Sequence, residues 1–510
     1  MAITPTYPGI YIQELPSSAH TVVAAPTSIT VFIGYSHPYK TTNPGEAIEL
    51  FSFTEFEALF GGLFTSGVFD SNLAYAVNQF FLNGGSTAYV IGLIGSAAQA
   101  ITVPPLQIAP FQFTALEPVN PISLNVTVNN VNAAGDTADV IVSYGSRVET
   151  FRKVKTTTGA DFIDDRINGI SQLVTVAPIP PAVNYGTIAA GGQGTFTQTV
   201  PASFPGIFAA ADFLDVFQQD SSLDKIPIFN LMVLPGTYDP GVLSEALAFC
   251  ERKRAFLIMD PDANAVADSI TATKLGLPLM LNEMLGTAVP KSTNGAIYFP
   301  YLKSSDPLSG DIISLPPSGF VSGIYASTDL SRGVWKAPAG MGAVVLNTTG
   351  VVDRGRMTDM NQGTLNINGV NCLRTFPSTG TVVFGARTLV GADDNTAFQQ
   401  WKYVPVRRMA LFIEQSLYFS LKWVIFEPND EPLWVAIRST INNFMMGLFT
   451  QGAFQGTKPS EAFQVKCDAT TTTQDDINNG KVNIIVAFAP LKPAEFVIIK
   501  IAQLAGQVQQ

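Results

Sequence analysis

At 510 residues the chain exceeds what one ordinary core organises, so roughly two to four domains are expected. Charged residues make up only 14%, and 40 acidic against 29 basic side chains give a net charge of −11, which disfavours a nucleic-acid partner because phosphate neutralisation needs a basic patch. Mean hydropathy is positive, yet no apolar run approaches the roughly 18 to 20 residues of a membrane-spanning helix, so the low charge points to assembly rather than to membrane insertion.

The opening residues, Met1 to Gly9, have neither the basic nor the apolar region of a secretory signal, so the chain is expected to stay in the cytoplasm when made. Cys250, Cys372 and Cys467 are odd in number and far apart, which suits small core residues better than a disulfide framework or a zinc site.

Residues 1–27 read as an extended arm punctuated by Pro8, Pro16 and Pro26, with one short strand, Gly9, Ile10, Tyr11, Ile12, Gln13 and Glu14. Ser28 to Tyr35 is a strand. Ser52 and Glu55 then form a capping box for a helix burying Phe53, Phe56 and Phe60. A second helix from Asp70 places Leu73, Val77, Phe80 and Phe81 at helical spacing, and Ala88 to Ile94 resumes as a strand. Charge then nearly vanishes: Glu117 stands alone between Thr87 and Gly135, and none occurs between Ile167 and Ala211. Alternation at Ile122, Leu124, Val126 and Val128, with partner strands at Thr137 to Tyr144 and Arg147 to Val154, makes 96–204 a separate, mostly β module. The Gly-rich loop Ala189 to Gly194 lacks the Lys-Ser/Thr ending of a phosphate loop and reads as flexible surface.

An α/β alternation returns with strands Ile228 to Leu234, Ala255 to Met259 and Ala296 to Tyr301. The helices between them start at Asp239-Pro240, a cap followed by proline at the first helical position, and at Ala263. Residues 28–95 and 205–339 are therefore expected to build one sheet interrupted by the β module. A last α+β domain, 340–490, carries an amphipathic helix from Arg407 to Phe426 and another from Leu433 to Phe449. Ala462 to Cys467 and Val482 to Ala489 can pair antiparallel, which makes Phe463, Val465, Cys467, Val482, Ile484, Val486 and Phe488 the candidate sheet. After Pro490 and Pro493 comes a bare β-rich run in the final segment, 491–510: Glu495, Phe496, Val497, Ile498, Ile499, Lys500 and Ile501. A terminal strand needs a partner edge, and two such arms on one chain suggest a polymer. The fold class is α/β and α+β multidomain with terminal strand arms.

Little chemistry is available. His20 and His37, the two histidines, both lie in the arm or its neighbouring loop, and no triad, metal cluster or cofactor site can be composed around them. Asp260 and Asp262 follow a strand where α/β hydrolases place metal-binding carboxylates, or they serve as a turn and helix cap. Asp393-Asp394 and Asp475-Asp476 read as solvated turns, the latter pair entering a helical turn. Arg407-Arg408 is either a solvated helix start or one half of an intersubunit salt bridge.

Several stretches together resemble the contractile tail sheath family of bacteriophages and phage-tail-like particles: Tyr7 to Glu14, Ala74 to Ser86, Pro316 to Ala326, Arg332 to Pro338, Gly369 to Arg374, Phe384 to Leu389, Phe426 to Glu431 and Phe463 to Asp468. The resemblance covers roughly 1–95 and 205–505. It implies a non-enzymatic subunit that polymerises helically around an inner tube, with the β module outermost and 340–490 innermost. The terminal arms would be donated to neighbours' sheets, and partners would include the tube, the baseplate and a terminator or cap. Arg438, Asn442 and Asn443 are then candidate tube-facing residues, and the joints at 16–26 and 490–493 candidate hinges. A non-contractile filament or surface-layer protein, and a hydrolase using Asp260 and Asp262, are the competing readings.

Overall fold

A computed structural model describes residues 20–38, 40–64, 72–97, 101–116, 124–145, 147–203, 207–280, 291–352, 357–391 and 399–500. The chain divides into two units, Pro26–Arg408 and a second formed by Met1–Ala25 with Met409–Gln510.

In the first unit, strands β1 (Thr30–Tyr35) and β2 (Ala47–Leu50) precede helices Phe53–Phe60 and Asn72–Leu82 in the chain, and β3 (Ala88–Leu93) follows them. Ser52 caps the first helix by accepting the Glu55 N–H, but Glu55 reaches back to Phe51 N–H rather than to Ser52, so only half of the expected capping box forms. The β module follows with its own core. Strands β4 (Leu106–Ile108), β5 (Phe111–Ala115) and β9 (Val174–Pro178) make one sheet. Strands β6 (Leu124–Asn129), β7 (Thr137–Tyr144), β8 (Arg147–Lys155) and β10 (Gly192–Thr195) make the other. Alternation sends Leu124, Val126 and Val128 inward against Phe111, Phe113 and Val140. Ile122 lies outside the described residues. The glycine-rich loop is partly a strand: Gly192 to Thr195 pairs antiparallel with Asn125 to Val128 along an edge.

Strands β11 (Leu231–Val233), β12 (Phe256–Met259), β13 (Gly295–Phe299), β17 (Val370–Phe376) and β18 (Gly380–Val383) complete an eight-stranded sheet in the order β18-β17-β13-β12-β11-β1-β3-β2, while β14 (Leu302–Ser305), β15 (Ile312–Leu315) and β16 (Gly350–Val351) make a separate three-stranded sheet. Its six central strands are parallel, and the two outer ones pair antiparallel. Such strands are buried on both faces, which is why Phe256 to Met259 and Leu231 to Val233 are unbroken apolar runs. Helix Pro240–Lys253 starts where expected, with Asp239 capping Val242 N–H. The helix expected from Ala263 shrinks to Ser269–Leu275, none of whose residues is buried.

One expected boundary is overturned. The sequence pattern puts residues 370–383 with the last domain, but β17 pairs parallel with β13, Ile297 to Phe299 against Val370 to Cys372, so the first unit runs on to Arg408. Pairing across some 70 residues is set by the partner strand's register, which local pattern does not carry.

The second unit contains most of helix Val404–Ser420, a short turn of helix at Lys422–Val424, helix Glu431–Thr450, and strands β19 (Phe463–Lys466) and β20 (Ile485–Phe488). Helix 404–420 stops six residues short of the expected Phe426, where the backbone turns left-handed (φ 73°). Asp430 caps the second long helix by accepting the Leu433 N–H, with Pro432 in its first turn. Thr473 and Asp476 form a full capping box for Gln474–Asn478, so Asp475-Asp476 does enter a helical turn.

Candidate assembly interface

The two candidate receiving segments pair as their alternation requires: Phe463 opposite Phe488, Gln464 opposite Ala487, Val465 opposite Val486 and Lys466 opposite Ile485, antiparallel. Among the described residues this sheet has two strands. Successive residues of a strand direct their backbone groups to opposite edges. Ala489 N–H donates to Ala462 C=O (2.8 Å), so Ile485, Ala487 and Ala489 are the residues facing β19. Before β20 the same side is completed by side chains, Asn429 Nδ2 donating to Lys481 C=O (2.9 Å) and Asn483 N–H donating to Thr472 Oγ1 (3.1 Å). The opposite edge carries the backbone groups of Val482, Ile484, Val486 and Phe488, and among the described residues none has a partner. Their side chains are half-buried while Lys481, Asn483, Ile485 and Ala487 are exposed, so one face of this edge is already apolar.

The outer edge of β19 is more closed. Phe463 N–H donates to Pro459 C=O, and Cys467 C=O accepts from Arg438 Nη1. Arg438 therefore ties helix 431–450 to the end of β19, with Glu431 3.6 Å from its other amino group, and it does not stand free as a tube-facing cation. Asn442 is half-buried and Asn443 exposed.

Beyond β20, Phe496, Val497, Ile498 and Ile499 are 72, 81, 83 and 79% exposed and belong to no strand or helix. Four consecutive large apolar side chains in water are what a soluble chain ordinarily avoids. Ile501 and Gly9 to Glu14 lie outside the described residues, as do Asp393-Asp394.

The candidate carboxylates have other work. Asp260 is buried at the end of β12 and accepts from Gly236 N–H (2.9 Å), Ser318 N–H (2.8 Å) and Ser318 Oγ. It thereby supplies the cap that Pro317 cannot give helix Ser318–Arg332. Asp262 accepts the Asn264 N–H. Both carboxylates of the hydrolase reading are thus occupied by the chain's own N–H and O–H donors.

Burial lifts the Asp260 carboxyl to about 6, against hydrogen bonds from Ser318 and Gly236 that pull it down. Because the folded value lies above the unfolded one, this group's stabilisation is complete below about pH 4 and is lost as pH rises through about 6. Between those limits the first unit should lose about 2–3 kcal/mol from this source. Urea unfolding at half-unit pH steps would show it as a slope that Asp260→Asn flattens; equal slopes in the two proteins would refute it.

Arg407 and Arg408 correct the sequence reading outright. Arg407 donates to Asn294 Oδ1 (3.1 and 3.0 Å), and Arg408 is buried in a bidentate pair with Asp329 (2.6 and 2.8 Å) inside the first unit. Neither is a solvated helix start, and Arg408 is not available to another subunit.

Family models match two segments that together span more than half of the chain: a phage tail sheath protein central domain over residues 221–389 and a phage tail sheath C-terminal domain over 396–503. No match was found among curated protein sequences. Among solved structures, a chain in the baseplate of the anti-feeding prophage is 25% identical with a TM-score of 0.59, covering 98% of this chain and 99% of that one. The helical sheath of the same particle in its contracted state is 24% identical, also with a TM-score of 0.59, covering 98% and 100%. The sheath tail protein of Desulfitobacterium hafniense shares the fold at 12% identity, with a TM-score of 0.53 over 95% of this chain and all of that one.

Proposed function

The chain belongs to the phage tail sheath family, and on that premise we propose that it is the subunit of a contractile sheath, self-assembling by strand donation and without catalytic activity of its own. One observation carries the reading: the unit that leaves Phe496 to Ile499 in water also leaves the Val482-to-Phe488 edge of β20 without a partner among the described residues. The segments 495–501 and 482–488 are each seven residues long. In a polymer each subunit's run would extend another copy's sheet through main-chain hydrogen bonds, and its alternate side chains would continue the apolar face of Val482, Ile484, Val486 and Phe488. Residues 9–14 would be donated in the same manner.

On this reading contraction is a transition between two packings of one sequence, an extended lattice held by tube and baseplate and a shorter one of lower free energy. A difference of about 5 kcal/mol per subunit shifts a two-state equilibrium decisively, and it sums along a cylinder without nucleotide hydrolysis. The inner tube, the baseplate and a terminator are the remaining partners, with Asn443 on the exposed side of helix 431–450 as a tube-facing residue. The subunit would be made in the bacterial cytoplasm and built into a phage tail or phage-tail-like particle.

Proline scanning of β20 tests the edge. Val486→Pro removes a donor from the open side and no bond to β19, whereas Ala487→Pro breaks the pair itself. Val486→Pro should fold with a melting temperature within about 1 °C of the parent's, about 1 kcal/mol for a chain of this size, and should yield no cylinders by negative-stain electron microscopy with the tube protein. Normal cylinders from that variant would exclude β20 as the receiving edge.

A further inference from the structure

The sequence reading makes 16–26 a bending joint, yet its last residues are fastened. Within the second unit, His20 to Ala25 runs against one face of helix 404–420 and its extension. Ala25 N–H donates to Ser416 Oγ (3.0 Å) and Val23 N–H to Ser420 Oγ (3.0 Å). Thr440 Oγ1, from helix 431–450, donates to His20 C=O (3.1 Å). The His20 ring lies flat on Trp423, centroids 3.9 Å apart and planes 6° from parallel. Ser416, Ser420 and Trp423 are spaced i, i+4 and i+7, a single helical stripe, and the strap crosses it in reverse order. Ser420 Oγ also lies 3.4 Å from Val23 C=O, so one hydroxyl addresses both backbone groups of that residue.

These bonds join residues some 400 positions apart without any strand pairing. The strap buries little, Val23 being 71% exposed, so apolar packing does not explain its fixed course. We infer that Ser416, Ser420, Trp423 and Thr440 form a dock for the root of the N-terminal arm, so that a pull on the arm is delivered to the two long helices rather than taken up by slack chain. This rests on the arm being donated to another copy. The four are positioning residues, and they take His20 to Ala25 out of the expected bending joint.

The test uses the full-length chain with Ser416→Ala/Ser420→Ala, Thr440→Val and Thr440→Ser, each assayed for amide hydrogen exchange and for cylinder formation with the tube protein. The double variant should speed exchange at Val23 and Ala25 tenfold or more, leave exchange in helix 431–450 unchanged, and give few or broken cylinders. Thr440→Val, which loses only the hydroxyl, should impair cylinders, and Thr440→Ser should restore them. Unchanged exchange at Val23 and Ala25 would overturn the dock, as would fast exchange with normal cylinders. A chain lacking residues 2–14 separates the two ideas. If it forms normal cylinders, arm donation fails and the dock's part in assembly fails with it; if it forms none while the dock variants assemble normally, the dock alone is wrong.

Discussion

Deleting residues 495–510 is expected to abolish cylinders while both units stay folded. The fold loses almost nothing: Phe496 to Ile499 are more than 70% exposed, and no strand pairing includes them. The lattice loses a great deal. If two of the four apolar side chains face inward on a neighbour's sheet, their burial contributes about 3–6 kcal/mol per contact. Each main-chain hydrogen bond of the added strand contributes about 0.5–1.5 kcal/mol more. A loss of that size weakens each contact by at least a hundredfold. Sedimentation velocity should show only monomer at micromolar concentration, with unchanged far-ultraviolet circular dichroism. Ile498→Asp should reproduce the defect in part, since it places a charge where the added strand is buried. Normal cylinders from the truncated chain would end the strand-donation reading, and a truncated chain that does not fold would show that the run belongs to its own subunit's core.

How much of this was legible follows from where each signal is stored. The pair β19 and β20 could be read because alternation at Phe463-Val465 and at Ile484-Val486-Phe488 is local and period two. The helix cap at Asp239 is equally local. The membership of Val370 to Phe376 in the parallel sheet was not, because buried Asn371 interrupts its apolar run. That side chain is consumed by Ile297 C=O and by both backbone groups of Arg387, partners that only the fold supplies. Arg438 shows the limit for the site: the resemblance makes it a tube-facing candidate, but the acceptor it meets, Cys467 C=O, is 29 residues away and not readable from local pattern. The contacts at the root of the N-terminal arm are not legible for the same reason, since hydroxyls at Ser416 and Ser420 look like ordinary helix surface until the strap lies on them.

Asp329→Ala should be among the most damaging single substitutions in the first unit, at about 3–5 kcal/mol in chemical denaturation. Arg408 and Asp329 are 3 and 2% exposed, so neither charge is compensated by water. The guanidinium is otherwise engaged with Thr27 C=O (2.8 Å) and the face of Tyr325 (4.7 Å), and Tyr325 OH meets Tyr298 OH at 2.7 Å on β13. Removing the carboxylate strands a cation in that setting, and neither the carbonyl nor the ring carries the charge needed to balance it. Arg408→Ala strands the anion instead and should cost a similar amount. Replacing both, as Asp329→Leu with Arg408→Met, should cost less than either single change, because a neutral pair of similar volume has no charge to desolvate. The double-mutant cycle measures the coupling directly. A double variant as unstable as the sum of its singles would mean that the pair contributes packing and little electrostatics. The pair's placement gives it a consequence beyond stability. It fixes helix 318–332 and the Thr27 end of the chain to Arg408, the last residue before the second unit begins. Weakening it should therefore loosen the start of helix 404–420 before the sheet melts, which amide exchange at residues 404–408 would register at denaturant concentrations too low to unfold the unit.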